Sequence, residues 1–438
     1  MIRASFVLTL ASIILLGSLH GCRRSSTSEA SLARPQPFDG PRGAVPSFLM
    51  GTGACAGRSC HGSLEPFDQT ASWQMEYTLW SSRDPHARAY QVLHEPAAKQ
   101  IAARLGLRGG DAHEAAECLA CHATPISMAP MMPVPDAEAV RREQSFGVGC
   151  EACHGSAVRW IDSHVTNAWR TRDPKAKWDD DGMVELADAT SLVKTCARCH
   201  VGDGSEGRDV NHDLMAAGHP RLMFEAGSYL AYLPRHWKPK PRDEVQLWAI
   251  GQTVCAETAI DSLRRSEVWP ECAQYDCAGC HHELSDSWRR RGGRWAWGTW
   301  YLTMPKLLAA TGEADGLPNV TALAQHMDAP LPSRSTLHKL VEPALADLKR
   351  LSERLANWKT DRAFAQEKMR WLLDNPRLVE PSWDAAEQIY LAMQALNTSA
   401  QDELVQKRLG DLLTERVWPP RRGFDPGKLL SILRAAPQ

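Results

Sequence analysis

Apolar and polar positions divide the chain into four stretches. Met1-Ile2-Arg3 is a short basic start, and Ala4 to Leu19 is apolar but too short and too punctuated for a comfortable bilayer span. Residues 22–45 carry Ser, Thr, Arg and Pro with almost nothing to bury, which predicts a flexible tether. From 46 to 302 the chain is rich in Trp, Gly, Pro and His and holds no sustained period, so short helices joined by long loops are expected. Over 303–438 helical periodicity takes over. Leu348, Leu351, Leu355 and Trp358 share one face, as do Ile389, Met393 and Leu396, and then Val405, Leu409, Leu412 and Leu413. Pro376, Pro381, Pro419 and Pro420 punctuate these helices, and Ser399 to Asp402 fits a capping box that opens one of them. The pattern predicts a mainly α chain with long loops, its C-terminal region a small helical bundle packed on the stretch before it.

Composition adds two constraints. After the tether roughly 390 residues remain, more than one ordinary core normally holds. The formal charge of −2 offers no argument for nucleic acid as a partner.

The 13 cysteines change the picture, because ten of them fall into pairs followed at once by histidine. Four pairs have two residues between the thiols: Cys118/Cys121 before His122, Cys150/Cys153 before His154, Cys196/Cys199 before His200, and Cys277/Cys280 before His281. A fifth, Cys55-Ala-Gly-Arg-Ser-Cys60-His61, is stretched to four. Paired thiols with an adjacent imidazole are the attachment signature of c-type haem: the thiols add to the vinyl groups and the imidazole ligates the iron. Paired cysteines also build zinc sites, but zinc does not need the adjacent histidine five times over. Five haem c groups are therefore expected. With porphyrins as apolar bodies to wrap, 46–302 would need few regular elements of its own. Arg83, Arg88 and Arg221 are candidate counter-charges for the propionates.

A second histidine on an iron closes its sixth position and suits it to electron transfer; an open position admits a small molecule. Ten histidines lie outside the motifs in the mature chain: His86, His94, His113, His164, His212, His219, His236, His282, His326 and His338. Supply exceeds demand, and spacing alone does not sort them. Gly and Pro on either side of His219 fix a turn that can aim an imidazole, while His326 and His338 read as ordinary histidines of the helical tail. Cys255 and Cys272 have no haem motif and read either as a disulfide or as two buried thiols.

The order Cys55-x4-Cys60-His61, Trp73, Ser82-Arg-Asp-Pro-His86-Ala-Arg-Ala, Cys118-Leu-Ala-Cys-His122, Gly147-Val-Gly-Cys-Glu-Ala-Cys-His-Gly155 and Cys196-Ala-Arg-Cys-His200 resembles the cytochrome c-554 family. The similarity runs from about Ser47 to Leu230. The resemblance implies that His86 reaches the iron held by His154 and that His164 reaches the iron held by His61. It also implies an open iron at His122. Asn211-His212-Asp213 and Gly218-His219-Pro220 look like distal-ligand stretches for the irons at His200 and His281. His94, His113, His236 and His282 are left as bystanders, with Met128, Met131 and Met132 as alternative ligands at His122.

The expectation is a pentahaem c-type cytochrome that passes electrons through closely packed haems. The alternative is an oxidoreductase of the nitrite, hydroxylamine or sulfur oxyanion type working at an open haem; no Cys-x-x-Cys-Lys site occurs in the chain. Residues 1–21 are expected to be an export signal. Leu19-His20-Gly21-Cys22 resembles a lipobox, which implies a lipid on Cys22 and a membrane-anchored protein outside the cytoplasm; plain cleavage or an uncleaved anchor is the other reading. Expected partners are redox proteins or a membrane redox complex.

Overall fold

The computed structural model describes residues 49–65, 74–107, 111–125, 137–237, 243–266, 269–281, 296–310, 316–375 and 383–414. The export segment with Cys22, Trp73, the methionines at 128, 131 and 132, His282, Pro376, Pro381, Pro419 and Pro420 lie outside the described residues. Among the described residues the chain is mainly helical and forms no strand, with isolated bridges at Asp203–Arg208 and Tyr275–Trp297.

The N-terminal half carries short helices: α1 (Glu76–Arg83), α2 (Pro96–Leu105), α3 (Ala116–His122), α4 (Ala137–Gln144), α5 (Cys150–His154), α6 (Asn167–Thr171), α7 (Pro174–Asp181), α8 (Ala189–His200), α9 (His212–Ala217) and α10 (Ala226–Tyr232). Longer ones follow: α11 (Glu244–Arg265), α12 (Thr303–Ala310), α13 (Pro318–Met327), α14 (Arg334–Leu355), α15 (Arg362–Asp374), α16 (Trp383–Ala400) and α17 (Glu403–Thr414). Polar side chains satisfy the first free amides of several. Asp188 accepts from Ser191 N at 2.7 Å to open α8, and Asp243 accepts from Gln246 N at 2.9 Å to open α11.

One start differs from the sequence expectation. Ser399 lies in the last turn of α16, and Asp402 opens the next helix, its carboxylate accepting from Leu404 N and Val405 N at 3.0 and 3.1 Å. Gln401, at φ 51°, breaks the backbone between them, so a capping box beginning at Ser399 cannot form.

The periodic faces of the tail turn inward. Leu348, Leu351, Leu355, Ile389, Met393, Leu396, Leu409 and Leu412 are all buried, and each large side chain removed from water contributes about 1.5–3 kcal/mol before ordering costs. These residues do not form a core of their own. α11 packs against α8, α14 and α16 together, so one apolar cluster runs from Leu192 to Leu412 and includes the helix that ends in His200. Residues 49–187 are built differently. Among their described residues the buried apolar side chains form two small clusters, Leu93/Ala102/Ala112 and Ala157/Trp160/Trp169, with Trp80, Ala87 and Ala123 buried outside either, a sparse protein core.

Candidate metal centres

Two of the thiol pairs lie on short helices, α3 and α5, and a third closes α8. On a helix, positions three and four apart share a face, so both thiols and the following imidazole of each motif point the same way. Cys277 opens a 3-10 turn, Cys277–Gly279, with Cys280 just after it, and Cys55 of the stretched pair closes another, Thr52–Cys55.

The Gly147–Gly155 stretch is held by close backbone approach. A Cβ on Gly147, at φ 73°, would lie 2.4 Å from the carbonyl oxygen of His86, and one on Gly155, at φ 79°, would lie 2.2 Å from that of Gly182. Val148 N donates to the same His86 carbonyl at 3.0 Å, and Trp80 Nε1 donates to Val148 O at 3.2 Å. Within α5, Glu151 is buried and takes no part in the thiol face. Its carboxylate accepts from Met50 N, Gly51 N and Ala157 N at 3.0, 2.8 and 2.8 Å, tying the turn before Cys55 to the Cys150 motif.

Each of the five motif histidines has another histidine ring beside it. The ring centres lie 6.2 Å apart for His61 and His164, 6.4 Å for His122 and His219, 6.4 Å for His154 and His236, 5.9 Å for His200 and His86, and 6.2 Å for His281 and His212. Two imidazoles bonded trans to one metal, each nitrogen about 2 Å from it, space their ring centres by about 6 Å. Direct stacking would bring them much closer, as it does for His94 and His113 at 4.1 Å.

The orientation of the rings agrees with this. His122 and His219 donate from Nδ1 to the carbonyls of Ala89 and Pro220, both at 2.8 Å, and His164 donates from Nδ1 to Ile161 O. His61 Nδ1 lies 3.0 Å from Glu76 and His86 Nδ1 lies 2.9 Å from Asp84. A ring whose Nδ1–H is engaged offers Nε2 as the ligating nitrogen, and the engaged partner fixes its direction. Burial pushes His154 down to about 4, helped by His236 and His61, and pushes His200 down to about 4, helped by His86 and His122. Both rings are thus neutral, the form in which imidazole binds metal.

These pairs correct several expectations. His86 faces His200, not His154; the turn before α5 sets Val148 against the His86 backbone while the His86 ring turns toward the end of α8. His236, read as a bystander, occupies the place opposite His154. The place opposite His122 is taken by His219, against the open position implied by the family resemblance. His164 stands opposite His61, as expected; of the two stretches assigned to the irons at His200 and His281, His212 stands opposite His281 and His219 opposite neither. His94 and His113 meet Tyr90 and each other, and His326 Nε2 hydrogen-bonds Ser333 O. Cys255 is buried within α11, Cys272 lies exposed on a turn beside the Cys277 motif, and no disulfide joins the two.

The motifs neighbour one another. The thiol of Cys55 lies beside that of Cys150, and the thiol of Cys121 beside that of Cys199. α9 begins with His212 and His219 follows just after its left-handed cap at Gly218, so one short helix and its exit supply rings to two of the pairs. A small cavity of about 70 Å³ at the last motif is lined by His212, Met215, Cys272, Cys277, Cys280 and His281.

Residues 54–155 match the family cytochrome c554 and c-prime. This segment is cytochrome c554-like. It spans roughly a quarter of the chain and takes in the motifs at His61, His122 and His154, together with His86. No curated protein and no solved structure matches the chain. For this segment the match implies haem c as the cofactor and electron transfer as the role. The segment ends at Gly155, before His164, His200, His212, His219, His236 and His281. Four of the five distal rings therefore come from outside it. Their signal in the sequence was weak, and for His236, in Pro234-Arg235-His236-Trp237, it was absent.

Proposed function

We propose that the chain is a pentahaem c-type cytochrome in which each iron is held between two histidines. The observation that carries this is the five-for-five correspondence: every motif histidine has a second imidazole at the spacing of a trans axial pair. When bound, haem c supplies one-electron transfer. The chain's own residues bind it through Cys55, Cys60, Cys118, Cys121, Cys150, Cys153, Cys196, Cys199, Cys277 and Cys280 and orient it through the ring pairs. The sparse apolar packing of residues 49–187 supports the same reading, since flat apolar groups would complete it.

Closing every iron to small molecules favours an electron carrier over an oxidoreductase working at an open haem, and His219 opposite His122 is the feature that weighs most. No helix among the described residues is long and apolar enough to cross a membrane, so attachment would rest on the segment ending at Cys22 and its lipid. Redox proteins or a membrane redox complex are the fitting partners. Intact mass combined with the spin state of purified protein tests the proposal. Five haem additions, all low-spin and inert to carbon monoxide, are expected; four additions, or a high-spin haem that binds carbon monoxide, would overturn it.

A further inference from the structure

His219 reaches its place from an extended segment, residues 219–225, that has no helix of its own. Upstream it is tied to α9, whose Leu214 carbonyl accepts from His219 N at 3.1 Å. Downstream, Arg221, Leu222 and Phe224 are each anchored by residues remote in sequence. Arg221 donates from Nη1 to Asp384 Oδ2 on α16 at 2.8 Å, and Thr299 Oγ1 donates to the same oxygen at 2.5 Å. Tyr301 donates to Leu222 O at 3.1 Å, and Trp300 Nε1 donates to Phe224 O at 3.2 Å. The Arg221 and Asp384 side chains are 12% and 2% exposed, so this is an ion pair withdrawn from water. Between Arg221 and His219 stands Pro220, whose ring fixes φ and stiffens the link.

We infer that Asp384 is a positioning residue for His219: by holding Arg221 inside the protein it keeps His219 opposite His122. The inference rests on the reading of the ring pairs as axial pairs. Its physical basis is the asymmetry of a buried ion pair, in which removing one partner leaves the other as an uncompensated buried charge. Without the carboxylate, Arg221 gains by moving to solvent. The stiff Pro220 link carries that movement to His219, and the sixth position at His122 opens. The c554-like segment contains His122 but none of His219, Arg221, Thr299 or Asp384. Closure of this centre is therefore a property of the later chain, and it gives α16 a role at a centre far from it in sequence.

The test uses the full-length haem-loaded protein and reads spin state, carbon monoxide binding and haem count. Asp384→Asn should turn one haem in five at least partly high-spin and let one haem per chain bind carbon monoxide, with five haems still attached. Asp384→Glu should restore the low-spin state. His219→Ala should give the full one-in-five conversion, and adding Asp384→Asn to it should change the spectrum no further. If His219→Ala converts one haem while Asp384→Asn leaves all five low-spin, the positioning role is overturned and the axial reading survives. If His219→Ala converts none, the axial reading itself fails. Should Asp384→Asn not accumulate, Thr299→Val, which removes one hydrogen bond from the same carboxylate, is read by the same outcomes.

Discussion

His236 faces His154 across 6.4 Å between ring centres, with the two ring planes at 73°. Nothing in the sequence near His236 marks it as a ligand, whereas His94 lies among the c554-like motifs and packs against His113 instead. His236→Ala is expected to convert one low-spin haem in five to high spin with the haem count unchanged, since the thioethers do not depend on the distal ring. His94→Ala is expected to leave all five low-spin. Optical and electron-spin spectra of the two variants check this, and the reverse result would return His236 to the bystanders.

Ring orientation leads to a second expectation. The planes are 21° apart for His61/His164 and 24° apart for His212/His281, but 73–90° apart for the other three pairs. Parallel imidazoles donate π density to the same iron orbital and split the d levels strongly; crossed imidazoles leave two of them nearly degenerate. Electron-spin resonance at low temperature should therefore resolve two rhombic low-spin haems and three with much greater g anisotropy. Five equivalent rhombic signals would contradict the ring geometry.

Glu151 sits inside an attachment motif yet acts on the backbone. Its carboxylate accepts three amide hydrogens while 6% exposed. Glu151→Gln keeps the shape but turns one acceptor into a donor facing an amide N–H. A loss of about 1.5–3 kcal/mol in the stability of the loaded protein is expected, the range for hydrogen bonds to a charged group. A chemical denaturation midpoint unchanged from wild type would show that the N-terminal turn does not need the carboxylate.

What was legible in the sequence follows from range. Cys118, Cys121 and His122 lie within one turn of helix, so their shared face is a local fact that spacing alone reveals. The inward faces at Leu348–Leu355 and Ile389–Leu396 were legible for the same reason. A distal ligand is a tertiary fact. His86 follows the first attachment site in sequence but meets the fourth, because the Gly147 and Val148 backbone packs under His86 O while the ring points to the end of α8. The open position at His122 was carried over from the family resemblance, but the family match ends at Gly155 and the residue that stands opposite His122 comes from beyond it. The tail reads as a helical bundle packed on the preceding stretch, but periodicity shows which face is buried and not which helices cover it. Here α11 and α8 share that cover.

Gly147 should tolerate no side chain. Alanine there would have to adopt φ near 73° with its Cβ 2.4 Å from a backbone oxygen, and that oxygen belongs to His86. The left-handed conformation alone costs on the order of 1–3 kcal/mol, and the clash would push the His86 backbone aside. Gly147→Ala is thus expected to lower the thermal midpoint and to disturb one low-spin signal together. A lower midpoint with an intact spectrum would separate the backbone contact from the His86 ring.

A pH dependence of stability follows from Asp209. Burial, with Glu271 adding repulsion, pushes its carboxyl up to about 6. In the unfolded chain an aspartate titrates near 3.9. The folded state therefore binds this proton more tightly, so the site contributes no penalty below about pH 4. Its penalty grows as pH rises from about 4 through 6 and is complete above that. Two pKa units correspond to about 2.7 kcal/mol, but the side chain is partly solvated, and screening reduces the expected effect to about 1 kcal/mol. Asp209→Asn, which cannot ionise, should raise the stability of the haem-loaded protein by that amount at pH 7 and leave it unchanged near pH 4. Denaturation midpoints of wild type and variant at the two pH values decide the matter. A variant less stable than wild type at pH 7 would mean that the ionised carboxylate is held by a favourable partner, and the sign of the argument would be reversed.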